Sequence, residues 1–171
     1  AHEGQLVARH HRARHVDEEH QVARGRIGRG DGASTHADAQ QLVAINRELD
    51  IARQIQSSIL PQAMPRMRGL TIVCRYRPMT AVAGDFYDFL EIDPERVGIL
   101  VADVSGHGVP AALIASMVKV ALAAQRDHAD SPAAVLAVMN VTLCGRLAGQ
   151  SLTAVYLFID TRSRMIRYGA A

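Results

Sequence analysis

Two short segments of this chain carry the residue types that do chemistry: Gly84-Asp85-Phe86-Tyr87-Asp88 and Val101-Ala102-Asp103-Val104-Ser105-Gly106-His107-Gly108. Each sets a carboxylate at the glycine-punctuated end of an apolar run. Carboxylates bind hard cations, glycines let backbone oxygens approach an ion, and a bound divalent cation activates water toward phosphate esters. Asp85 and Asp103 are therefore candidate ligands of a divalent-metal site. A lone aspartate at a strand end is more often a turn or cap residue. The same arrangement at both ends of a strand pair favours ligation.

The neighbouring polar residues divide into weaker candidates and structural ones. Asp88 follows Asp85 by three residues, which in an extended strand turns it to the opposite face, where a structural hydrogen bond is the simpler reading. His107 lies in a glycine-flanked turn at the start of a helix. There an imidazole suits an acid for a leaving group or a partner of metal-bound water, and an exposed turn histidine is the competing reading. Ser105 lacks a G-x-S-x-G elbow and a partner base, so capping is its expected role. Arg75 and Arg77 read as exposed strand arginines without an assigned task.

The acids need elements that bring them together. Asp93-Pro94-Glu95-Arg96 separates apolar runs over 86–92 and 97–102, which predicts a hairpin closed by a proline-containing turn of about four residues. With Ile92 opposite Val97, Asp103 faces Phe86 and Asp85 faces Val104, leaving the acids on opposite faces. A bulge, or a turn one residue different, puts both on one face about 5 Å apart. Two carboxylates that close repel each other, and a cation between them removes that cost.

Around the hairpin the pattern is that of a layered domain. A strand is predicted over 70–77. Gly108-Val109-Pro110 opens a helix with Leu113, Ile114, Met117, Val118, Ala121 and Leu122 on one face. Ser131-Pro132 caps a second helix, with Leu136, Met139, Leu143 and Leu147 as its apolar face. Strands over 152–159 and 165–168, joined by a polar turn, close the sequence. Three strands, two helices and two strands predict an α+β fold. Upstream, Leu42, Ile45, Leu49, Ala52 and Ile59 follow helical spacing, interrupted by the polar Gln56 and ended by Pro61, and predict a linker helix over 37–60. A helix packed on its own domain and a short coiled coil forming a homodimer are both open readings of it.

Residues 1–36 hold six of the eight histidines and an arginine- and glycine-rich stretch, and are expected to contain little packed structure. His11 and His15, with Glu19 and His20 nearby, have spacing for a shared metal, though a solvated stretch is the plainer reading. The division expected is thus 1–36, 37–60 and 61–171. A formal charge of +2 gives no argument for nucleic acid, and eighteen of the nineteen basic residues are arginine, with Lys119 the exception. No apolar run reaches membrane-span length and no secretion signal is visible, so a cytoplasmic protein is expected. Cys74 and Cys144 lack chelating or redox spacing and are expected as buried free thiols.

The chain resembles the PPM-type, metal-dependent serine/threonine protein phosphatases, specifically the bacterial SpoIIE-like branch. The resemblance is carried by Ala52-Arg53-Gln54-Ile55-Gln56 through Leu60-Pro61, by Tyr76-Arg77-Pro78, by Val82-Ala83-Gly84-Asp85-Phe86-Tyr87-Asp88, by Val101 through Gly108 with Val109-Pro110-Ala111-Ala112-Leu113, and by Leu152-Thr153-Ala154-Val155-Tyr156-Leu157. It implies an α-β-β-α sandwich with two Mn²⁺ or Mg²⁺ ions between the sheets, Asp85 and Asp103 as ligands, and Val104 contributing its backbone carbonyl. It also implies in-line attack by metal-activated water on a phosphoserine or phosphothreonine, without a covalent phosphoenzyme. The implied substrate is a small regulatory protein of the anti-anti-sigma type, and the implied partner in cis is an upstream sensor domain.

Two departures from the family pattern matter. Position 83 is alanine where the family usually has a second glycine, which strains the turn if that position needs positive φ. The family's further aspartates are not in this sequence, so the chain is expected to be a C-terminally incomplete domain with little activity alone. The competing function is a phosphatase-like module that has lost its metals and only docks a regulatory partner.

Overall fold

The computed structural model describes residues 4–7, 32–78 and 81–171, with side chains from residue 38 onward. A long helix α1 spans Gly32–Ile59, starting earlier than residue 37 and ending just before Pro61. Strand β1 (Gly4–Val7) pairs in parallel with β2 (Leu70–Val73). The hairpin follows as β3 (Phe86–Asp93) and β4 (Arg96–Val104), then helices α2 (Val109–Ala123) and α3 (Pro132–Leu143), then β5 (Leu152–Asp160) and β6 (Met165–Ala170). Strands β3-β4-β5-β6 form one antiparallel sheet in sequence order.

Helices α2 and α3 begin where their sequence signals placed them. Gly108 precedes α2 at φ 77°, a conformation that side chains on Cβ disfavour, and Pro110 sits in the first turn where its missing N–H costs nothing. Ser131 caps α3, its hydroxyl accepting from the Ala134 N–H at 3.4 Å. Both helices lie on one face of the sheet. There Phe86, Leu90, Leu100, Ala102, Ala154, Tyr156 and Phe158 bury against Ala115, Val118, Leu122, Val135, Met139 and Leu143. At about 1.5–3 kcal/mol for each large apolar side chain, this layer dominates the stability of the domain. Tyr156 is fully buried and donates to the Ala129 carbonyl at 2.8 Å, lying over Gly98 where a Cβ would fall 1.8 Å from its hydroxyl oxygen.

The other face is covered at one end only. Met64, Met67, Leu70 and Ile72 pack on Val97, Ile99, Leu157 and Ile159 near the hairpin turn. Toward the far end, Val155 is 40 % exposed, and on β6 Ile166 and Tyr168 are exposed. The architecture is α+β, with helices over one side of an antiparallel sheet and a two-stranded unit beyond. No helix among the described residues is long and apolar enough to cross a membrane.

Three expectations need correction. Regular pairing in β2 stops at Val73 rather than continuing to residue 77. Leu113 is exposed on α2, because Ala111, Ala112, Ala115 and Ala121 let the helix approach the sheet along a line of small residues that turns Leu113 outward. Both cysteines are free, but Cys74 is half-buried and Cys144 is exposed, since it is the residue following the last turn of α3.

Candidate metal centre

The register of the hairpin decides where the two acids go. Phe86 pairs with Ala102, Tyr87 with Val101, and so on to Glu91 with Val97, after which the ladder shifts and Asp93 pairs with Arg96. Ile92 is thus an extra residue in β3, and Glu91 rather than Ile92 faces Val97. The Asp93 carboxylate fixes the tight turn beyond it, accepting from the Glu95 N–H and the Arg96 guanidinium, each at 2.8 Å. The bulge shifts every residue beyond it by one place.

Continued one step past Phe86, the same register sets Asp85 opposite Asp103. The Val104 N–H donates to the Gly84 carbonyl at 3.4 Å, so the ladder still holds at that level. With 84 and 104 as a hydrogen-bonded pair, 85 and 103 occupy the alternate position, where opposing side chains come closest, about 4.5–5.5 Å between Cβ atoms. Phe86 and Ala102 next to them point into the helix-side core, so both aspartates lie on the opposite, partly open face. Asp103 is exposed and Asp85 half-buried.

Backbone approach at this end requires glycine. A Cβ on Gly84 would sit 2.5 Å from the Val104 carbonyl oxygen, 3.1 Å from the Val104 Cβ and 3.3 Å from the Ala111 Cβ. The first of these is main chain and cannot swing aside. The Val104 carbonyl therefore lies at the strand end shared by the two acids, while its side chain is buried under α2. Ala83 does not carry the strain considered for it, because the described non-glycine residues with positive φ are Ala148 and Arg164.

Several side chains brace the site that the motifs alone did not mark. The Tyr76 hydroxyl donates to the Asp85 carbonyl at 3.3 Å, and its ring centroid lies 6.0 Å from that of Tyr87. Burial and the Asp85 charge push the Tyr76 phenol up to about 12, and burial with a Cys74 hydrogen bond pushes Tyr87 to about 12. Thr153 on β5 pairs with Asp103 and donates from its hydroxyl to the Asp103 carbonyl at 3.5 Å. Gln56 of α1 is buried and bonded to both backbone groups of Ala83. The one signal for Gln56 was its position as a polar break in an apolar stripe, which marks a buried amide as readily as an interruption.

Asp88 is turned to the helix side, as its spacing required. It is buried and bonded to Lys119 Nζ of α2 at 2.6 Å. Ser105 is structural but does not cap α2, which starts four residues later, beyond reach of its hydroxyl. It accepts from the Ser151 N–H and its own N–H donates to the Ser151 carbonyl, both at 2.8 Å, tying the turn to the loop before β5. His107 is exposed between Gly106 and Gly108, both at positive φ. Arg75 and Arg77 are exposed. The grouping of His11, His15, Glu19 and His20 lies outside the described residues.

Two carboxylates and a backbone carbonyl belong to residues at one strand end, all hard oxygen donors of the kind that divalent cations accept. Among the described residues, no group of three or more histidine, cysteine, aspartate or glutamate side chains is placed to hold an ion. The donors present thus fit a divalent cation, supplying part of its coordination.

Residues 93–171 match the family described as Stage II sporulation protein E (SpoIIE), a span that includes Asp103 and Val104 and begins after Asp85. The chain is 35 % identical over 96 residues to the phosphoserine phosphatase RsbU of Bacillus subtilis (strain 168), an alignment covering 56 % of this chain and 28 % of that protein. It is 32 % identical over 127 residues to the phosphoserine phosphatase RsbP of the same organism, covering 71 % of this chain and 31 % of that protein. The chain spans under a third of the length of these relatives. In structure it is similar to the SiaA-PP2C domain of Pseudomonas aeruginosa, with TM-score 0.65 and 28 % identity over 79 % of this chain and 55 % of that one. By sequence and by fold together, the chain is similar to the PPM-type, SpoIIE-like phosphatases, and its residues 93–171 carry the family match.

Proposed function

We propose that this chain provides part of the catalytic centre of a metal-dependent phosphatase that hydrolyses phosphoserine or phosphothreonine on a regulatory protein of the anti-anti-sigma type. The observation that carries the reading is the bulged hairpin register, which brings Asp85 and Asp103 opposite each other on the open face of the sheet. The relatives' description as phosphoserine phosphatases supports the substrate class. Bound Mg²⁺ or Mn²⁺ supplies positive charge that lowers the pKa of water and neutralises phosphoryl oxygens.

The chain's own groups have separate tasks. Asp85, Asp103 and the Val104 carbonyl hold the cation. Gly84 keeps the two strand ends close enough for them to do so together. Tyr76 and Thr153 each fix the backbone of one ligand. His107, exposed in its turn, serves in this reading as the acid that protonates the departing serine or threonine oxygen as the P–O bond breaks and inorganic phosphate is released. The sequence pattern of α1 and its exposed Leu42, Ile45, Ile51 and Ile55 support a homodimer through residues 37–60. An upstream sensor domain and a cytoplasmic location complete the proposal.

Phosphate release by the full-length protein from a phosphoserine peptide tests the activity. Turnover that needs Mn²⁺ or Mg²⁺ and falls at least about a hundredfold in Asp103→Asn is expected from loss of a ligand that holds charge at the reacting centre. Metal-independent turnover would remove the metal centre from the reading, and binding of a regulatory partner without turnover would replace the enzyme by a docking module.

A further inference from the structure

We infer that Gln56 is a positioning residue for Asp85, acting as a latch between the last turn of α1 and the segment that leads into the metal centre. The inference rests on the metal-site reading above and adds to it a residue far away in sequence. Gln56 is only 7 % exposed on a helix whose neighbouring positions are mostly open to solvent. Its side-chain amide donates to the Ala83 carbonyl and accepts from the Ala83 N–H at 2.9 Å. One amide thus pairs with one residue's main chain as a neighbouring strand would, and the donor–acceptor pattern fixes its orientation. Three residues earlier on the helix, Arg53 Nε donates to the Ala81 carbonyl at 3.0 Å.

Ala83 lies just before β3, next to Gly84, whose carbonyl accepts from the Val104 N–H. Gln56 satisfies both backbone groups of Ala83, two residues before Asp85, where a buried N–H and C=O would otherwise be left unpaired. Its removal frees the segment to shift, and a carboxylate displaced by a fraction of an ångström from its partner no longer shares an ion well. A polar residue at this place in an apolar stripe then has a purpose that packing alone does not give it.

The test uses the full-length protein, with Mn²⁺ affinity read by electron paramagnetic resonance and amide exchange read at residues 83–85. Gln56→Met is expected to weaken Mn²⁺ binding at least about tenfold, the range found when supports of metal ligands are removed, and to speed exchange at 83–85. Gln56→Glu, which keeps an acceptor for the Ala83 N–H but loses the donor, is expected to do the same and serves if Gln56→Met does not fold. Ile59→Ala, on the same helix and packed on the core, is expected to lower the melting midpoint while leaving both readouts alone. If the Gln56 variants only lower the midpoint, with Mn²⁺ affinity within about twofold of wild type, the latch is overturned. Asp85→Asn separates the two ideas: unchanged binding there sinks the metal site and with it the positioning role, whereas weakened binding there with unchanged binding in the Gln56 variants sinks the latch alone.

Discussion

Lys119 reaches from α2 to a buried carboxylate on β3, and the geometry leaves Asp88 dependent on it. Truncating one partner strands a charge, whereas replacing both with apolar groups need not cost anything. Lys119→Met is expected to destabilise the domain by about 1–3 kcal/mol in denaturant unfolding, discounted for the lysine's partial exposure. Adding Asp88→Leu should recover most of the loss, and a double variant as unstable as the single would show that the pair is not the cause. Gly84 is sensitive for a different reason, because the atom a Cβ would strike is main chain. Gly84→Ala should part the strand ends, lowering stability by about 1–3 kcal/mol and weakening divalent-cation binding. Tyr76 and Tyr87 give a pH signature. Both phenols are raised from near 10 to about 12 in the folded protein, so folding favours their protonated forms. That contribution is complete below pH 10 and declines as pH rises through about 12. Absorbance titration should show three late tyrosines, since burial raises Tyr156 as well, with one lost in Tyr76→Phe. At this scale the sequence marked Asp85 and Asp103 as candidates and anticipated that Asp88 turns to the opposite face. It hid Tyr76, Thr153 and Lys119, whose roles come from contacts 9, 50 and 31 residues away along the chain.

The hairpin shows where reading by elements succeeds and where it stops. Alternating apolar runs and an Asp-Pro-Glu turn located β3 and β4 to within two residues, yet the face on which Asp85 falls depends on one extra residue, Ile92. No propensity scale resolves a single-residue shift, because the bulge is decided by the tight turn that Asp93 holds and by which side chains the core accepts. The two capped helices were legible for the opposite reason, since proline and serine signals act locally. On α2 the burial of alanines in place of Leu113 was not legible, because helix-to-sheet distance is a tertiary quantity. For α1, periodicity alone left packing and pairing open, and the structure shows both a buried end and an exposed stretch. Gln56 lies against the domain while Leu42 is 61 % exposed. The proposed dimer is tested by sedimentation of the full-length protein: a dimer is expected, and Leu42→Asp with Ile45→Asp should give a monomer. A wild-type monomer at all concentrations would remove that role.

Across the molecule, the four-stranded sheet separates two environments. Its helix side is filled by a large core cluster with a smaller one around Val104, and its other side is closed near the hairpin turn and open where Asp85 and Asp103 lie. In the proposed function, stability and chemistry thereby fall to opposite faces of the same strands, each strand alternating between them. The central claim is that the two acids act on one ion. Isothermal titration of the full-length protein with Mn²⁺, through a cycle of Asp85→Asn, Asp103→Asn and the double variant, measures it most directly. The account predicts that each single variant loses at least about tenfold in affinity and that the double variant is little worse than either, as for residues acting as a unit. Affinity unchanged in both single variants, or losses that simply add, would contradict a shared site.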